Sequence, residues 1–421
     1  MNVVFVHPSH PNQFTGIANA LSRKRGWECA FLVDRAFTGQ IRRDNPPVAY
    51  YGYGEEASPL SGTYYTRCIE EGARRGKAIV EALAHIHAST GIDAVVGHAS
   101  FGATLFVREI LAIPVVSYVE LPGYHPAFCR DEFPGRYPQS LMDVALRSLI
   151  HSSVIHSDLC VVPSAYARDL FPPELRSKVR VRMEGFALPP PAGDREALRR
   201  ELGITGDGPV IGFAGRTLEA VRGFDVFVRA AGRIRAVRPD AHFLVVGDEA
   251  SIYGNEASYL GDSSFKRHAL RQEGMADEEF IFRPFVPYDQ FVRYLQAMDV
   301  ILFPLFEGAA NWGLFEAMAA GVPVIASRRC FIPEVIENGC DGILLDAADA
   351  DGFAAASLAL LEDSTRAEAM RRAGRQKIAR SFSMERAASG YAAIIREAVR
   401  RHGSGARNPC RGRQRVIWPA A

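Results

Sequence analysis

The sequence predicts an α/β protein made of two doubly wound parallel-sheet domains, and three observations carry that prediction. Short β-branched runs alternate with longer helical patterns, the signature of parallel strands joined by crossover helices. The stiff run Leu188-Pro189-Pro190-Pro191-Ala192-Gly193 breaks the alternation, because prolines neither donate ladder hydrogen bonds nor continue a helix. Beyond it the alternation restarts. A chain of 421 residues has room for two or three domains at about 150 residues each.

In chain order, the first strand is Val3-Val4-Phe5-Val6, followed by an amphipathic stretch from Gly16. Cys29 to Val33, Ala94-Val95-Val96, Val115-Val116-Ser117-Tyr118 and Leu159 to Val162 read as further strands, with a helix expected over Phe101 to Leu111. Residues 1–187 form an N-terminal domain, 188–194 the linker. Strands resume at Val210-Ile211-Gly212-Phe213, Ala241 to Val246, Phe280 to Phe282, Val300 to Phe303, Val324-Ile325-Ala326 and Gly342 to Leu345, with a helix over Gly223 to Val237. After Asp349 the pattern is helical: Phe353 to Leu361, Arg366 to Arg380, then a terminal helix, 384–401, expected to pack back on the N-terminal domain. The second domain is 195–383, and the basic tail 402–421 reads as frayed.

Composition narrows the function classes. Basic and acidic residues number 49 and 48, so no global field recruits nucleic acid or anionic membrane. The exception is Arg400 to Ala421, with six Arg and no acid. The 7 cysteines form no Cys-x-x-Cys pair, which reads as reduced thiols without a structural metal. No apolar run approaches the ~20 residues needed to span a bilayer. A cytoplasmic enzyme is expected, with peripheral attachment to the inner membrane face compatible.

In open α/β sheets ligands bind beyond the carboxyl ends of the strands, so residues just after strands are the first candidates. After Phe213, Ala214-Gly215-Arg216 leads through Thr217-Leu218-Glu219-Ala220-Val221 to Arg222-Gly223 and a helix. Gly215 and Gly223 permit close backbone approach, and Arg216 and Arg222 suit a diphosphate, since guanidinium forks bind phosphate bidentately. Two solvated surface arginines are the bland alternative. The second constellation follows Phe303: a polar loop with Glu307 and Asn311, then a short helix from near Gly313 to Gly321. Its start offers N–H groups and a field that favours an anion. Glu316, expected in the first turn, either complements that dipole or accepts two hydrogen bonds from a ribose diol. Glu307 reads as a sugar contact or an ordinary loop acid. Asp349-Ala350-Asp351 reads as a helix cap, and Gly52-Tyr53-Gly54-Glu55-Glu56-Ala57 as a chance match to a dinucleotide pattern.

The Gly-Arg turn, the Arg-Gly opening the next helix, and above all Glu316-Ala317-Met318-Ala319-Ala320-Gly321-Val322-Pro323-Val324-Ile325-Ala326-Ser327 resemble the donor-binding half of retaining GT-B glycosyltransferases of the family-4 type. Phe285-Val286-Pro287-Tyr288-Asp289 resembles the segment those enzymes place beside the nucleobase. His7-Pro8-Ser9-His10-Pro11-Asn12-Gln13-Phe14 and Val96-Gly97-His98-Ala99-Ser100-Phe101-Gly102 resemble one bacterial branch of the family.

The resemblance implies two domains facing across a cleft and a nucleotide-diphosphate sugar as donor substrate. The acceptor would be a saccharide, a lipid-linked or a small-molecule hydroxyl compound, with neither cofactor nor metal. Arg216 and Arg222 would clamp the diphosphate, with Gly215 beside them, Glu316 would hold the ribose, and amides near Trp312, Gly313 and Leu314 would meet phosphate or sugar. Phe285 would lie on the base side. Gly16 and His98 would face the transferred sugar and acceptor, although a strand-end His also reads as a hydrogen-bonded structural residue. The sequence departs from the family in three ways: Arg222 replaces the usual Lys, Pro284 the usual glycine, and the two acidic residues of the family have between them one position fewer than Glu307 and Glu316. Gly308 occupies the expected place of the first. A sugar-nucleotide epimerase and a binding protein without turnover share the implied fold. Acceptor choice is expected in the loops 50–65 and 121–136, where aromatic residues, Gly and Pro cluster.

Overall fold

Among the described residues every strand lies in a parallel sheet, where both faces are covered and near-continuous apolar runs are stable. The computed structural model describes residues 1–38, 48–54, 60–123, 128–135, 137–191, 193–261, 263–284 and 286–405. They fall into two units, one from the described parts of Met1–Gly123, Tyr137–Gly185 and Met384–Ala421, the other from those of Tyr124–Arg136 and Phe186–Ser383.

The first unit holds β1 (Asn2–Val6), β2 (Glu28–Asp34), β3 (Ala49–Tyr53), β4 (Ala94–His98), β5 (Val115–Tyr118), β6 (Leu159–Val162) and β7 (Val179–Val181), in the spatial order β3-β2-β1-β4-β5-β6-β7. Helix Thr15–Ser22 and the terminal helix Met384–Gly405 cover one face. Ile17, Leu21, Tyr391, Ile395 and Ala398 share one buried cluster with Phe5 and Phe31. The second unit holds β8 (Val210–Thr217), β9 (His242–Asp248), β10 (Ile281–Arg283), β11 (Val300–Phe303), β12 (Val324–Ser327) and β13 (Ile343–Leu345), ordered β10-β9-β8-β11-β12-β13. Phe213, Phe224, Phe227, Phe243 and Phe280 fill its core, with Phe213 at 5.4 Å from Phe224 and 5.2 Å from Phe227, distances at which ring pairs add to plain area burial.

Strand order reverses between β1 and β4 in one sheet and between β8 and β11 in the other. At such switch points the crossover loops diverge and leave a crevice for ligand.

Several expectations are corrected. Over Phe101 to Leu111 the chain instead makes a 3₁₀ turn, Ala99–Phe101, and a short helix, Val107–Leu111. Gly102 sits between them at φ 74°, and a Cβ there would come within 2.1 Å of the Gly72 carbonyl oxygen. Close packing on helix Arg67–Thr90 thus overrides helical continuation. Part of the 50–65 segment is strand β3, paired with β2. The Asp349 carboxylate does cap a helix, accepting from Gly352 N at 2.8 Å. Gly52 and Tyr53 lie within β3, and Glu55 to Ala57 lie outside the described residues. Beyond Gly405 the basic tail lies outside the described residues. Among those described, no helix is long and apolar enough to cross a membrane.

Candidate functional site

The carboxyl end of β8 is where the second sheet departs from regular pairing. Its ladder with β9 runs to Ala214 opposite Val246 and resumes at Thr217 opposite Asp248, so Gly215 and Arg216 form a bulge, a device that re-aims side chains. The turn expected after Phe213 is therefore an irregularity within a longer strand. Arg216 is exposed there. The chain then makes a 3₁₀ turn, Ala220–Arg222, and enters helix Phe224–Val237 through Gly223 at φ 71°. Glycine is required twice over at 223. The left-handed conformation disfavours a side chain, and a Cβ would lie 2.0 Å from the Pro304 carbonyl oxygen. The Phe306 amide donates to Val221 O at 2.8 Å. Together these contacts bind the loop after β8 to the loop after β11.

Two buried carboxylates underpin the arginine loop. Glu219 is fully buried. It accepts from the amides of Ile252, Tyr253 (2.7 Å) and Gly254 (3.2 Å) and from the Thr217 hydroxyl, which fixes the segment 251–254 beneath Arg222. Glu256 accepts from Ala220 N at 3.2 Å, and burial, with some help from Glu219, raises its pKa. The Arg222 guanidinium lies 5.3 Å above the centre of the Tyr253 ring, a cation–π distance. Its Nε is buried without a partner among the described residues.

Arg130 is also part of this unit. It pairs with Asp225 at 2.7 Å, donates to Ala220 O at 3.3 Å, and lies 4.3 Å over the Phe306 ring. Phe128 stacks on Tyr253 at 5.5 Å, and Asn255 and Tyr259 donate to Pro134 O at 2.6 and 2.8 Å. Segment 128–135 is thus bound to the second unit. Neither Glu219 nor Arg130 was a sequence candidate: Glu219 carried no local signal, and Arg130 acts on partners 90 or more residues away.

Helix Trp312–Ala320 begins where β8 and β11 end. A Cβ on Gly313 would sit 3.7 Å from the Phe303 ring and 3.9 Å from the Ala214 carbonyl oxygen. Asn311 is the N-cap residue, buried, and its side chain makes no cap bond. The field at the helix start therefore remains available to an anion. Leu314 is fully buried and packs rather than projects, while its amide bonds Asn311 O at 3.1 Å. Trp312 is 39% exposed and edge-on to Phe186 at 6.2 Å.

Because this helix starts at Trp312, Glu316 lies beyond its first turn, so the dipole explanation of that carboxylate is withdrawn. Glu316 is half-buried with no hydrogen-bond partner among the described residues, and burial raises its pKa to about 7. Its charge also reaches the Tyr288 phenol. Glu307 is buried and accepts from its own neighbour Gly308 N at 2.8 Å, and its charge helps burial to raise the Cys330 thiol to about 12. Phe285 lies outside the described residues.

At the other switch point the groups are neutral imidazoles. His7 follows β1 and His98 ends β4, with ring centres 5.5 Å apart. Phe101 and Tyr118 flank His98 at 4.6 and 5.1 Å. Burial lowers His7 to about 4 and carries His98 well below the usual histidine range. His7 Nδ1 meets the amide and carbonyl of Ser9, each at 3.1 Å. His7 Nε2 and His98 Nδ1 are buried without partners among the described residues, so the hydrogen-bonded structural reading of His98 does not describe it. Gly16 lies against the terminal helix: a Cβ there would meet Met384 Cε at 2.3 Å. Its smallness therefore serves packing.

Glu337, Cys340 and Asp341 form a grouping of metal-ligand type among the described residues, but Lys377 pairs with Asp341 and the turn lies before β13, not after β8 or β11.

Residues 25–189 match the profile of the glycosyl transferase family 4 group, and residues 208–363 that of glycosyl transferases group 1. D-inositol 3-phosphate glycosyltransferase of Acidothermus cellulolyticus is 30% identical over 211 residues, 49% of this chain and 45% of that protein. The Nocardia farcinica protein of the same name is 29% identical over 237 residues, 54% of this chain and 50% of its own. The chain thus spans about half the length of the curated relatives it matches. Among solved structures, sucrose-phosphate synthase of Thermosynechococcus elongatus superposes with a TM-score of 0.72 at 17% identity, over 94% of this chain and 98% of that one. Anabaena HepE, solved with UDP and glucose, superposes with a TM-score of 0.68 at 17% identity, over 94% and 99%. At such identities the likeness is one of fold.

Proposed function

Because the chain belongs to the GT-B glycosyltransferases that join a family-4 module to a group-1 module, we propose that it transfers a sugar from a nucleoside-diphosphate donor to a hydroxyl acceptor. The observation that carries this reading is the convergence at the second switch point: the Gly215-Arg216 bulge, Arg222 and the uncapped start of helix Trp312–Ala320 meet where β8 and β11 end. Two guanidinium groups and a helix dipole suit one ligand class above others, a diphosphate.

Negative charge grows on the diphosphate as the glycosidic bond breaks. Fixed cations that need no reorganisation stabilise that state more than the ground state. Arg222 is preorganised by Tyr253, which Glu219 holds through the amide at 253. Arg216, free of such packing, would close on the ligand. Cations placed on the leaving group can take the part a divalent metal plays elsewhere, and the resemblance to retaining enzymes implies transfer without a metal and with retention at the anomeric carbon, the β-phosphate serving as leaving group and local base. Glu316, unpartnered and half-buried, is suited to accept both hydroxyls of a ribose diol. Glu307, buried in the loop after β11, is suited to a hydroxyl of the transferred sugar. The neutral, unpartnered nitrogens of His7 and His98 suit hydroxyl groups of the acceptor or transferred sugar better than a phosphate.

The test offers UDP-, GDP-, ADP- and TDP-sugars with hydroxylated acceptors, with and without EDTA, and follows the anomeric proton of the product by NMR. The expected result is an EDTA-insensitive product of retained configuration. An isomerised donor with no modified acceptor, or tight nucleotide binding without turnover, contradicts the reading.

A further inference from the structure

At the amino ends of β11 and β12, the edge of the second sheet opposite the switch-point loops, lies a cavity of about 240 Å³ lined by Arg195, Arg371, Arg372 and Arg375, with Glu368 the one carboxylate in its wall. The positions of Met298, just before β11, and Val322, just before β12, fix it at that edge. Four cations in one small cavity repel each other unless anions intervene, so the partner of each arginine decides what the cavity can hold.

Arg195 is satisfied by Asp299 at 3.0 Å and by the carbonyl oxygens of Gln296, Ala297 and Met298. Arg199 shares the same carboxylate. The other three differ. Arg371 reaches only Asp299 O, at 3.2 Å, and Arg375 reaches Ala319 O at 2.6 Å and Pro189 O at 3.2 Å. Among the described residues neither has a carboxylate in ion-pair range, and Arg372, exposed on the same helix, has no partner at all. Backbone oxygens orient these guanidinium groups without cancelling their charge. Crowding is visible at Arg195, whose pKa is lowered by burial first and then by the Arg199 and Arg371 charges, against the opposing pull of Asp299.

Placement on one helix, Ser364–Ser381, brings Arg371, Arg372 and Arg375 to one region, since residues four apart share a helix face. The aliphatic stem of Arg375 packs on Gly321, where a Cβ would come within 3.0 Å of its Cδ, so that guanidinium is held rather than swept through solvent. Planar forks held in this way match the oxygens of a phosphate group.

We propose that this cavity is a second anion site, taking a phosphate group carried by a small soluble molecule or by a lipid head group. It is independent of the donor reading, because no residue of the cavity belongs to the switch-point loops.

The experiment is titration calorimetry of inorganic phosphate into the full chain saturated with UDP, which fills any diphosphate site first, at constant ionic strength set with chloride. Saturable phosphate binding is expected, at least tenfold weaker in Arg371→Ala/Arg372→Ala, with UDP affinity unchanged in that variant. Arg372→Glu, a change at an exposed position, repeats the test without touching a packed side chain. Phosphate binding that UDP abolishes, that both variants leave unchanged, or that chloride reproduces overturns the proposal, as does the lack of any binding. Sedimentation with phosphatidylglycerol vesicles separates the sources: co-sedimentation lost in Arg372→Glu assigns the site to a head group, and none, with phosphate binding intact, assigns it to a soluble phosphate.

Discussion

The two switch points share a topology and differ in chemistry. Where β1 and β4 part, the chain places His7 and His98, both driven towards the neutral form by burial. Where β8 and β11 part, it places Arg216, Arg222 and Glu316. One crevice offers uncharged hydrogen-bonding groups among aromatic rings, the other fixed charge on glycine-shaped backbone. On the proposed reading, one sheet order would serve two kinds of ligand, hydroxyls in the first unit and a diphosphate in the second, with the side chains after the strands making the choice.

The contrast is broken most sharply at Arg216. Arg216→Ala is expected to lower turnover by roughly two orders of magnitude, about 3 kcal/mol, the scale of losing one charged donor to the developing negative charge, whereas His98→Ala should cost only about tenfold, one neutral hydrogen bond. Initial rates at saturating donor decide, and an unchanged rate in Arg216→Ala removes that residue from the mechanism.

Glu219→Gln probes the support beneath Arg222. The substitution keeps the shape and removes the charge that three amides share. A loss of about 2 kcal/mol in stability is expected, with the donor KM raised about tenfold and a smaller change in kcat. A lowered Tm with an unaltered donor KM would show that the 251–254 segment does not position the arginine.

Glu316 gives the pH signature of the second unit. Its folded pKa, about 7, lies above the ordinary carboxylate value, so between that value and about 7 the folded chain binds more protons than the unfolded one. Its contribution to stability therefore falls as pH rises through this window. Donor affinity should move the other way, improving from pH 6 to 8 as the carboxylate ionises to accept the diol. Glu316→Gln should flatten the donor KM against pH, and a persisting slope would assign the titration elsewhere.

The smallest effect belongs to His7. Its folded pKa, about 4, lies below its unfolded value, so its contribution to stability is complete above the unfolded value and is lost as pH falls towards about 4. His7→Phe should reduce the acid sensitivity of Tm across that interval while leaving the donor KM pH profile intact.

Much of the fold was legible in the sequence, because parallel strands buried on both faces leave unbroken apolar runs: β5, β6 and β11 have the expected bounds. The strand β3, Ala49–Tyr53, was not legible, since its glycine and tyrosines read as a loop and only pairing with β2 makes it a strand. Of the candidate site, Arg216, Arg222 and Glu316 could be nominated from the sequence because they lie at or just beyond the end of a strand or occupy a specific run. Glu219 and Arg130 were not. Their roles arise from contacts with residues 252–254 and 225, which no local spacing encodes. The bulge at Gly215 was hidden too, as a register shift depends on the neighbouring strand.

The most direct test of the central claim is titration calorimetry with whichever of UDP, GDP, ADP and TDP binds best, compared with its parent nucleoside. Arg216→Ala and Arg222→Ala should each weaken the diphosphate at least tenfold and leave the nucleoside unaffected. Diphosphate affinity equal to wild type in both variants would contradict the account.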